Sequence, residues 1–306
     1  MAQPTGLQTE NKLVKRGYAM SKYDTDKVKE LAKCIRDPVY FCEKHVRIQH
    51  PTKGNMPFDM YEYQKELVSS WHENRFSIAL LPRQSGKTTC AAGFLLWYAM
   101  FKADSTILVA AHQYSGAQEI MSRIRYAYEE CPDYLRAGVV EYNKGSISFD
   151  NGSRIISQAT TEKTGRGLSL TLIYLDEFAF VEHRMAQEFW TSLSPTLSTG
   201  GACIITSTPN SDTDQFAQIW REANDVYDEY GNPRANGRGK NDFKAYSIKW
   251  DDVPGRDASF EEKQKAQIGE ERWLREYCCL GATVNINLKE NENKFITTIE
   301  KLYTSL

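Results

Sequence analysis

The sequence predicts an α/β fold in which a mostly parallel sheet is covered by helices on both faces, and two observations support that prediction. Strand-like and helix-like segments alternate from residue 64 onward, and several strand segments are uninterrupted apolar runs, such as ILVAA, TLIYL and CIIT. Such runs indicate burial on both faces, which is typical of parallel strands. The length of 306 residues suffices for one large domain or two smaller ones.

The elements follow in chain order. Residues 1–23 are polar and are interpreted as a flexible arm, and a first helix is predicted after Asp24, where apolar residues recur at helical spacing. The predicted strands cover 77–81, 106–110, 146–150, 154–158, 170–175, 202–207 and 243–248. The predicted helices cover 64–72, 88–101, 115–130, 185–193, 213–224, 259–268 and 270–278. Residues 228–241 lack apolar periodicity, so an exposed loop is expected there.

The composition excludes several classes of protein. Mean hydropathy is −0.56 and the sequence contains no 18-residue apolar run, so neither a transmembrane helix nor a membrane partner is expected. The net charge of −2 predicts that any nucleic-acid contact uses a local patch. The seven cysteines lack CxxC spacing, and the five histidines lack the spacing of metal ligands. Most of the cysteines are therefore interpreted as buried apolar residues in a reducing cytoplasm.

The clearest local motif is SIALLPRQSGKTT, a strand segment followed by a tight loop and then by an apolar helix. This is the context of a phosphate-binding loop, in which Gly86 lets the backbone approach an anion at the start of a helix. Lys87 is predicted to bind the β- and γ-phosphates, and Thr88 to offer a hydroxyl to Mg²⁺. Leu81 stands where the general pattern has its first Gly.

A second motif is the pair of acids that ends the strand LIYLDE. Asp176 is predicted to help hold Mg²⁺ and Glu177 to activate the attacking water. The alternative is a strand that simply ends in two solvated acids.

Hydroxyl residues end another strand, in CIITSTPN. Thr206, Ser207 and Thr208 are predicted to sense the γ-phosphate and to couple its loss to neighbouring elements, and a plain polar turn is the alternative.

Two arginines are assigned to the same chemistry. Arg83, inside the loop, is placed to contact the nucleotide from within the subunit, whereas Arg166, in TGRGL, is suited to be an arginine finger that reaches a neighbouring subunit. Either residue could instead be a solvated loop charge. Upstream, Tyr63 and Gln64 begin a helix and could stack on adenine and bond its edge, although such a Gln often has no special role.

Together these motifs resemble the large terminase subunit of tailed bacteriophages, the DNA-packaging motor. The resemblance covers most of residues 24–278 and includes DPVYF, the loop RQSGKT, GRG, LDEFAF, TSTPN and the late run WDDVPGRD followed by EYC. A loop with an Arg and without the first Gly is typical of that family. The resemblance implies a P-loop (ASCE-type) NTPase fold.

The resemblance also implies functional roles. It implies an ATP-driven translocase that uses Mg²⁺, with Gln64 on adenine, Glu177 as the catalytic base and 206–208 as the coupling motif. The nucleotide-binding set is then Tyr63, Gln64, Arg83, Gln84, Ser85, Gly86, Lys87, Thr88 and Thr89, with Thr88 and Asp176 at the metal. The implied partners are double-stranded DNA, the portal, the small terminase subunit and other copies in a ring, in the host cytoplasm.

The resemblance further implies a division into domains. Residues 24–45 and 243–278 would form a small lid subdomain beside an ATPase core at 46–242. Family members carry a C-terminal nuclease, and the 28 residues after Cys278 are too few for one, so a motor that lacks its nuclease is expected.

The tail 279–306 resembles the N-terminal fragment of an atypical split intein, which would begin at Cys279. Alternating apolar residues predict a hairpin there with its turn at 289–293, followed by a helix at 299–306. Cys279 would begin splicing, and a separately encoded chain would supply the intein C-fragment and the nuclease half. The alternative is a truncated or frameshifted terminase.

Two other functions remain open at this stage. A DEAD-like helicase or remodelling ATPase shares the adenine Gln, the acid pair and the hydroxyl motif, and a non-hydrolysing ATP-binding assembly adaptor would use the same loop. The candidate cations for contact with the DNA backbone are Arg234, Arg238, Lys240 and Lys244, for which a solvated loop is the alternative.

Overall fold

The computed structural model describes residues 14–161, 164–165, 167–198 and 200–278, except for the side chains of residues 194 and 235, and the backbone of two later strands. The helices are α1 Thr25–Arg36, α2 Pro38–His45, α3 Glu62–Glu73, α4 Lys87–Phe101, α5 Tyr114–Glu130, α6 His183–Ser198, α7 Gln215–Asn224, α8 Ala258–Ile268 and α9 Glu270–Glu276. The strands are β1 Arg47–His50, β2 Gly54–Pro57, β3 Phe76–Leu80, β4 Thr106–Ala111, β5 Val139–Tyr142, β6 Ser146–Phe149, β7 Arg154–Ala159, β8 Leu172–Asp176, β9 Ala202–Ser207, β10 Lys244–Ser247, β11 Asn285–Glu290 and β12 Asn293–Thr298. No helix among these described residues is long and apolar enough to cross a membrane.

An eight-stranded sheet organises the chain in the order β10-β3-β9-β8-β4-β7-β6-β5. The strands from β10 to β7 run parallel, and β6 and β5 are added antiparallel at one edge. The predicted α/β class with a mostly parallel sheet is therefore confirmed.

The core lies on both faces of this sheet because its strands alternate their side chains between two apolar clusters. Along β4, Ile107 and Val109 belong to the cluster beneath α2 to α5. Leu108 and Ala110 belong to the cluster beneath α6 and α7 on the other face. Burial on both faces explains why this strand is apolar without interruption.

Three elements do not appear among the elements predicted from the sequence. They are helix α2, the antiparallel hairpin of β1 and β2, and strand β5. The start of α2 does carry a signal, since Asp37 accepts hydrogen bonds from the backbone N–H groups of Val39 and Tyr40, and Pro38 stands at the first helical position. The hairpin and β5 are only four residues per strand, too short for a clear period.

Part of the segment assigned to a flexible arm is bound to the sheet. The backbone of residues 15–17 pairs with Val139 of β5, and the Tyr18 backbone N–H donates to Asp150. The edge strand β5 has backbone groups that no neighbouring strand pairs, and residues 15–17 form hydrogen bonds with those of Val139. Residues 1–13 lie outside the described part of the chain.

The division into lid and core stays a prediction, although several contacts bear on it. Helix α2 packs closely on α4 at Gly93, where an added Cβ would lie 2.8 Å from the Cys42 sulfur. Helices α8 and α9 pack together through an aromatic cluster of Trp250, Phe260, Trp273 and Tyr277. Strand β10, which the resemblance assigned to the lid, pairs in parallel with β3 as one edge strand of the central sheet.

In the tail, β11 and β12 pair antiparallel, with Glu290 opposite Asn293. The strands therefore occupy much of the stretch 289–293 that the sequence assigned to a turn. The helix predicted at 299–306 lies outside the described residues.

Candidate active site

The candidate site lies at the carboxyl edge of the sheet, where the parallel strands β3, β9, β8 and β4 all end. The loop 81–86 leaves β3, the pair Asp176–Glu177 ends β8, and the hydroxyl motif ends β9. Because these strands are neighbours in the sheet, segments far apart in the sequence meet at one edge. The loop and the acid pair border a cleft of about 990 Å³.

The loop itself is shaped to receive an anion. Gly86 has a φ of 80°, in the left-handed region, and helix α4 begins at the next residue. Among the described residues no side chain caps the start of α4, and its first turn holds no acid. The helix N-terminus therefore presents backbone N–H groups and a positive dipole end to the cleft. The Ser85 hydroxyl is buried and has no hydrogen-bond partner in the described structure.

Lys87 contacts both Asp176, the last residue of β8, and Glu177, which follows it. Its ammonium hydrogen-bonds to Glu177 Oε1 and lies 3.4 Å from Asp176 Oδ1. The Lys87 side chain is 10% exposed and that of Asp176 is 9% exposed, whereas that of Glu177 is 37% exposed. Burial strengthens the attraction between these charges, so the ammonium and the two carboxylates hold one another in place.

Asp176 is further held by two hydroxyl groups. Thr206 Oγ1 donates to Asp176 Oδ1 at 2.9 Å, and the Tyr174 hydroxyl lies 3.3 Å from the same oxygen. Burial and the nearby Asp176 charge raise the pKa of Tyr174 far above its usual value, so this hydroxyl stays a donor. All three contacts use Oδ1, which leaves Oδ2 for a ligand.

Glu177 has an unusual backbone, with a φ of 51°. A non-glycine residue in the left-handed region is strained and commonly marks a functional position. Its Oε2 atom lies 3.4 Å from both Ser207 Oγ and the Thr208 backbone N–H. Residues 206–208 are buried and contact the acid pair. That they sense the γ-phosphate stays a prediction.

Tyr63 and Gln64 also lie behind the loop instead of in the wall of the cleft. The Tyr63 hydroxyl and Gln64 Nε2 both donate to the Ser85 carbonyl, at 2.8 and 3.0 Å, and Gln64 Oε1 accepts from the Tyr61 backbone N–H. Gln64 is only 4% exposed. Both residues therefore support the loop here, and the predicted contact of Gln64 with adenine would require this amide to exchange its partners.

Arg83 is bound to the C-terminal helices. Its backbone N–H donates to the Glu276 carbonyl at 3.0 Å, and its guanidinium pairs with the Glu276 carboxylate. Arg256 Nη2 donates to the Arg83 carbonyl at 2.7 Å, and its guanidinium lies over the rings of Phe260 and Tyr277. Arg83 borders the cleft, but in this conformation its charge is already paired.

Several residues of the cleft wall were not found from the sequence. Arg123 of α5 donates to Thr89 Oγ1 at 3.2 Å and to Glu119 at 3.1 Å, so the Thr89 side chain is oriented by a neighbouring helix. The cleft is also lined by Ile48, Gln49, His50 and Pro51 of the β1–β2 hairpin. No local motif marks these residues, since only packing brings α5 and the hairpin to the loop.

Other predicted residues lie elsewhere or outside the described chain. Arg166 and Cys279 are outside the described residues. Among the candidate DNA-contacting cations, Arg234 donates to the Tyr227 carbonyl, Arg238 pairs with Asp242, and Lys244 Nζ lies 3.3 Å from the Gly237 carbonyl. These three contacts therefore tie the loop 228–241 to its flanking residues.

The cysteines behave as expected for buried apolar residues. Cys34, Cys42, Cys90, Cys131 and Cys203 are all buried. Burial raises the pKa of Cys34 and of Cys131 to about 12, so these thiols stay protonated at neutral pH.

A model of a protein family described as the N-terminal part of the T4-like-virus type of terminase large subunit matches residues 78–303. The chain belongs to this family. The match runs from within β3 through the phosphate loop, the acid pair and the hydroxyl motif into the tail, and it confirms the resemblance to the large terminase subunit.

Solved structures of phage terminases share the fold of this chain. The large terminase ATPase domain of Thermus phage P74-26 is 20% identical with a TM-score of 0.58, covering 72% of this chain and 93% of that one. The large terminase of bacteriophage HK97 is 15% identical with a TM-score of 0.64, covering 83% and 56%. The large terminase of a thermophilic bacteriophage, in complex with ADP, is 11% identical with a TM-score of 0.56, covering 74% and 55%. This chain therefore spans just over half the length of the last two terminases.

The residues of the cleft fit a nucleotide phosphate and Mg²⁺. The unpartnered Ser85 hydroxyl, the uncapped start of α4 and the Lys87 ammonium are donors that suit phosphate oxygens. Asp176 Oδ2 and the Thr88 hydroxyl are oxygen ligands of the kind that Mg²⁺ prefers.

Proposed function

We propose that this chain is the ATP-hydrolysing motor domain of a phage DNA-packaging terminase, which translocates double-stranded DNA into a procapsid. The observation that carries the proposal is the position of Lys87, which joins the phosphate loop to the Asp176–Glu177 pair across the cleft. Membership of the terminase family favours this function over the helicase or remodelling alternative.

The chemistry follows from the groups around Lys87. When ATP enters, its phosphates compete with Glu177 for the ammonium, and Glu177 is released to accept a proton from water. The water oxygen forms a bond to the γ-phosphorus, the bond to the bridging oxygen of ADP breaks, and the water proton passes to Glu177. Asp176 and Thr88 would hold Mg²⁺, which neutralises charge on the β- and γ-phosphates.

The hydroxyl motif would couple this chemistry to the rest of the fold. Thr206 bonds to Asp176, and the Thr208 backbone N–H bonds to Glu177, so any shift of the acids is passed to the end of β9. The backbone of Leu81 donates to the Ser207 carbonyl, which links that strand end to the phosphate loop as well. Arg83 would contact the nucleotide in exchange for Glu276, and Arg166 would reach the γ-phosphate bound by a neighbouring copy.

The proposed partners are those of a packaging motor in the host cytoplasm: double-stranded DNA, the portal, the small terminase subunit and other copies in a ring. DNA contact would be to the backbone and independent of sequence. Lys240 lies in the exposed loop 228–241 and is the cation of that segment proposed to face DNA phosphates.

A turnover assay of the purified chain tests the proposed function. We expect ATP hydrolysis that requires Mg²⁺. The turnover rate per chain should rise with protein concentration, because the arginine finger comes from a neighbouring copy. Double-stranded DNA should increase the rate, and rising salt should weaken that increase. ATP binding without turnover, even at high protein concentration with DNA and portal present, would favour the assembly adaptor instead.

For the tail, we propose that residues 279–306 are the N-terminal fragment of a split intein. The Cys279 sulfur would attack the Cys278 carbonyl carbon, the peptide C–N bond would break, and the amide nitrogen would take the thiol proton. The resulting thioester would pass to a separately encoded chain that carries the C-fragment and the nuclease half. The antiparallel hairpin β11–β12 supports this proposal, whereas the family match, which runs to residue 303, does not set the tail apart.

Mass spectrometry of a mixture of this chain with its candidate partner tests the tail. We expect a ligated product that contains residues 1–278 and lacks 279–306. Cys279→Ala should abolish ligation, while the neighbouring Cys278→Ser variant should retain it. Absence of ligation with a folded partner, or ligation by the Cys279→Ala variant, would refute the proposal.

A further inference from the structure

A group of metal-ligand side chains lies away from the nucleotide cleft, where α1 meets α2. Glu30 and Cys34 are four residues apart on α1 and therefore share one face of that helix. His45 is the last residue of α2, which follows α1 after Asp37. One ligand atom from each of Glu30, Cys34 and His45 lies within 4.8 Å of the other two, and His45 Nε2 is 2.8 Å from Glu30 Oε1.

The donor set of this group is that of a zinc site. Thiolate sulfur, imidazole nitrogen and carboxylate oxygen are the ligands of Zn²⁺, which holds them at about 2.0–2.3 Å. A tetrahedral ion with such bonds separates its ligands by roughly 3.3–3.8 Å, so the present spacing needs only small side-chain adjustments. The three protein ligands leave a fourth position for water.

Burial and charge also suit a divalent ion. Cys34 is fully buried, whereas the His45 and Glu30 side chains are 11% and 23% exposed, so an ion can enter from their side. A thiolate, a carboxylate and a neutral imidazole carry two negative charges, which a divalent cation neutralises. Two other charges act on the group: Lys33, whose ammonium lies 3.8 Å from Glu30 Oε2, the oxygen that does not face His45, and the carboxylate of Asp37.

Neighbouring groups hold these ligands in place. The Tyr40 hydroxyl donates to Glu30 at 2.9 Å, and Trp97 Nε1 of α4 donates to the Cys34 carbonyl at 2.7 Å. Hydrogen bonds of this kind orient ligands and tune metal affinity. Because α4 begins at the phosphate loop, this group connects α1 and α2 to the helix that carries Lys87.

We propose that Glu30, Cys34 and His45 form a binding site for Zn²⁺ that fastens α1 to α2. On binding, the Cys34 sulfur forms a bond to the ion and its proton leaves to solvent. The site is separate from the candidate nucleotide cleft. Sequence reasoning missed it because the third ligand is eleven positions beyond Cys34 and is brought near by the turn at Asp37.

Metal titration of the full chain tests this proposal, with excess Mg²⁺ present to occupy the nucleotide cleft. We expect the wild type to bind one equivalent of Zn²⁺ more than Cys34→Ser, and Co²⁺ to give a sulfur-to-cobalt charge-transfer band that Cys34→Ser lacks. Cys203→Ser, a buried cysteine on β9, and Cys278→Ser should keep both signals. Tyr40→Phe should lower the affinity by about 10-fold.

Equal Zn²⁺ stoichiometry in the wild type and in folded Cys34→Ser would overturn the proposal, as would a charge-transfer band that persists without Cys34. If Cys34→Ser does not fold, Glu30→Gln decides, because that side chain is partly exposed and the change preserves its shape. We expect its Zn²⁺ affinity to fall by at least about 10-fold. An unchanged Zn²⁺ affinity in Glu30→Gln would show that Glu30 is not a ligand and would refute the proposed site.

Discussion

Replacing Glu177 by Gln is expected to lower ATP turnover by about 10²- to 10⁴-fold while ATP binding persists, the loss that removal of a general base produces. Gln keeps the shape of the side chain and retains an oxygen for the Thr208 backbone N–H. It cannot accept a proton from water. The phosphate loop and Lys87 remain, so the nucleotide site stays formed.

Turnover under saturating ATP, together with nucleotide binding measured separately, checks this prediction. The matched control is Glu262→Gln, an exposed acid on α8, which should turn over ATP at the wild-type rate. Unchanged turnover in Glu177→Gln would refute the assignment of Glu177 as the base. If ATP binding and turnover fell by the same factor, Glu177 would instead be a residue that maintains the structure of the site.

Replacing Lys87 by Met is expected to have an effect of similar size but of a different kind, because both ATP binding and turnover should fall. Removal of one preorganised donor to a transition-state oxygen typically costs about 10²- to 10³-fold in rate. Here the same ammonium also offsets the charges of Asp176 and Glu177. The two carboxylates would then repel each other and the incoming phosphates, which weakens binding further.

The matched control is Lys102→Met. Lys102 lies just after the other end of α4, and its ammonium is 5.5 Å from the centre of the Trp97 ring. Its turnover should equal that of the wild type. Thermal unfolding without nucleotide should show a lower midpoint for Lys87→Met than for Lys102→Met, because a shared counter-ion has been removed. Normal ATP affinity in Lys87→Met would contradict the proposed phosphate contact.

Local patterns were sufficient to predict most of the central fold. The apolar run of β9 was placed at 202–207, the range that the structure shows, because a strand buried on both faces differs clearly from its polar flanks. Helices α4 and α5 were placed within one residue at each end. The elements that the sequence did not predict are short. One example is the β1–β2 hairpin, which packs on α5 and is stabilised by that packing more than by its own sequence.

For the site, the sequence identified residue types, and the structure added the contacts that these residues make with the rest of the protein. Gln64 was expected at adenine, yet its amide holds the Ser85 carbonyl from behind the loop. Residues 206–208 were expected at the γ-phosphate, yet they contact the acids of β8. The contacts of 206–208 arise because β9 lies beside β8 in the sheet, and the contact of Gln64 arises because helix α3 lies against the phosphate loop.

The sequence by itself was sufficient to predict the chemistry proposed for this protein. The strand, the loop RQSGKT and the following helix specify an anion site, since a glycine and a helix N-terminus bind phosphate in any fold that presents them. The acids that end β8 were recognised for the same local reason. Only the tertiary structure decided that Lys87 is shared by Asp176 and Glu177, that Arg83 is held by Glu276, and that Glu30, Cys34 and His45 meet. These are contacts between separate elements, and the energy that forms them comes from packing the two faces of the sheet.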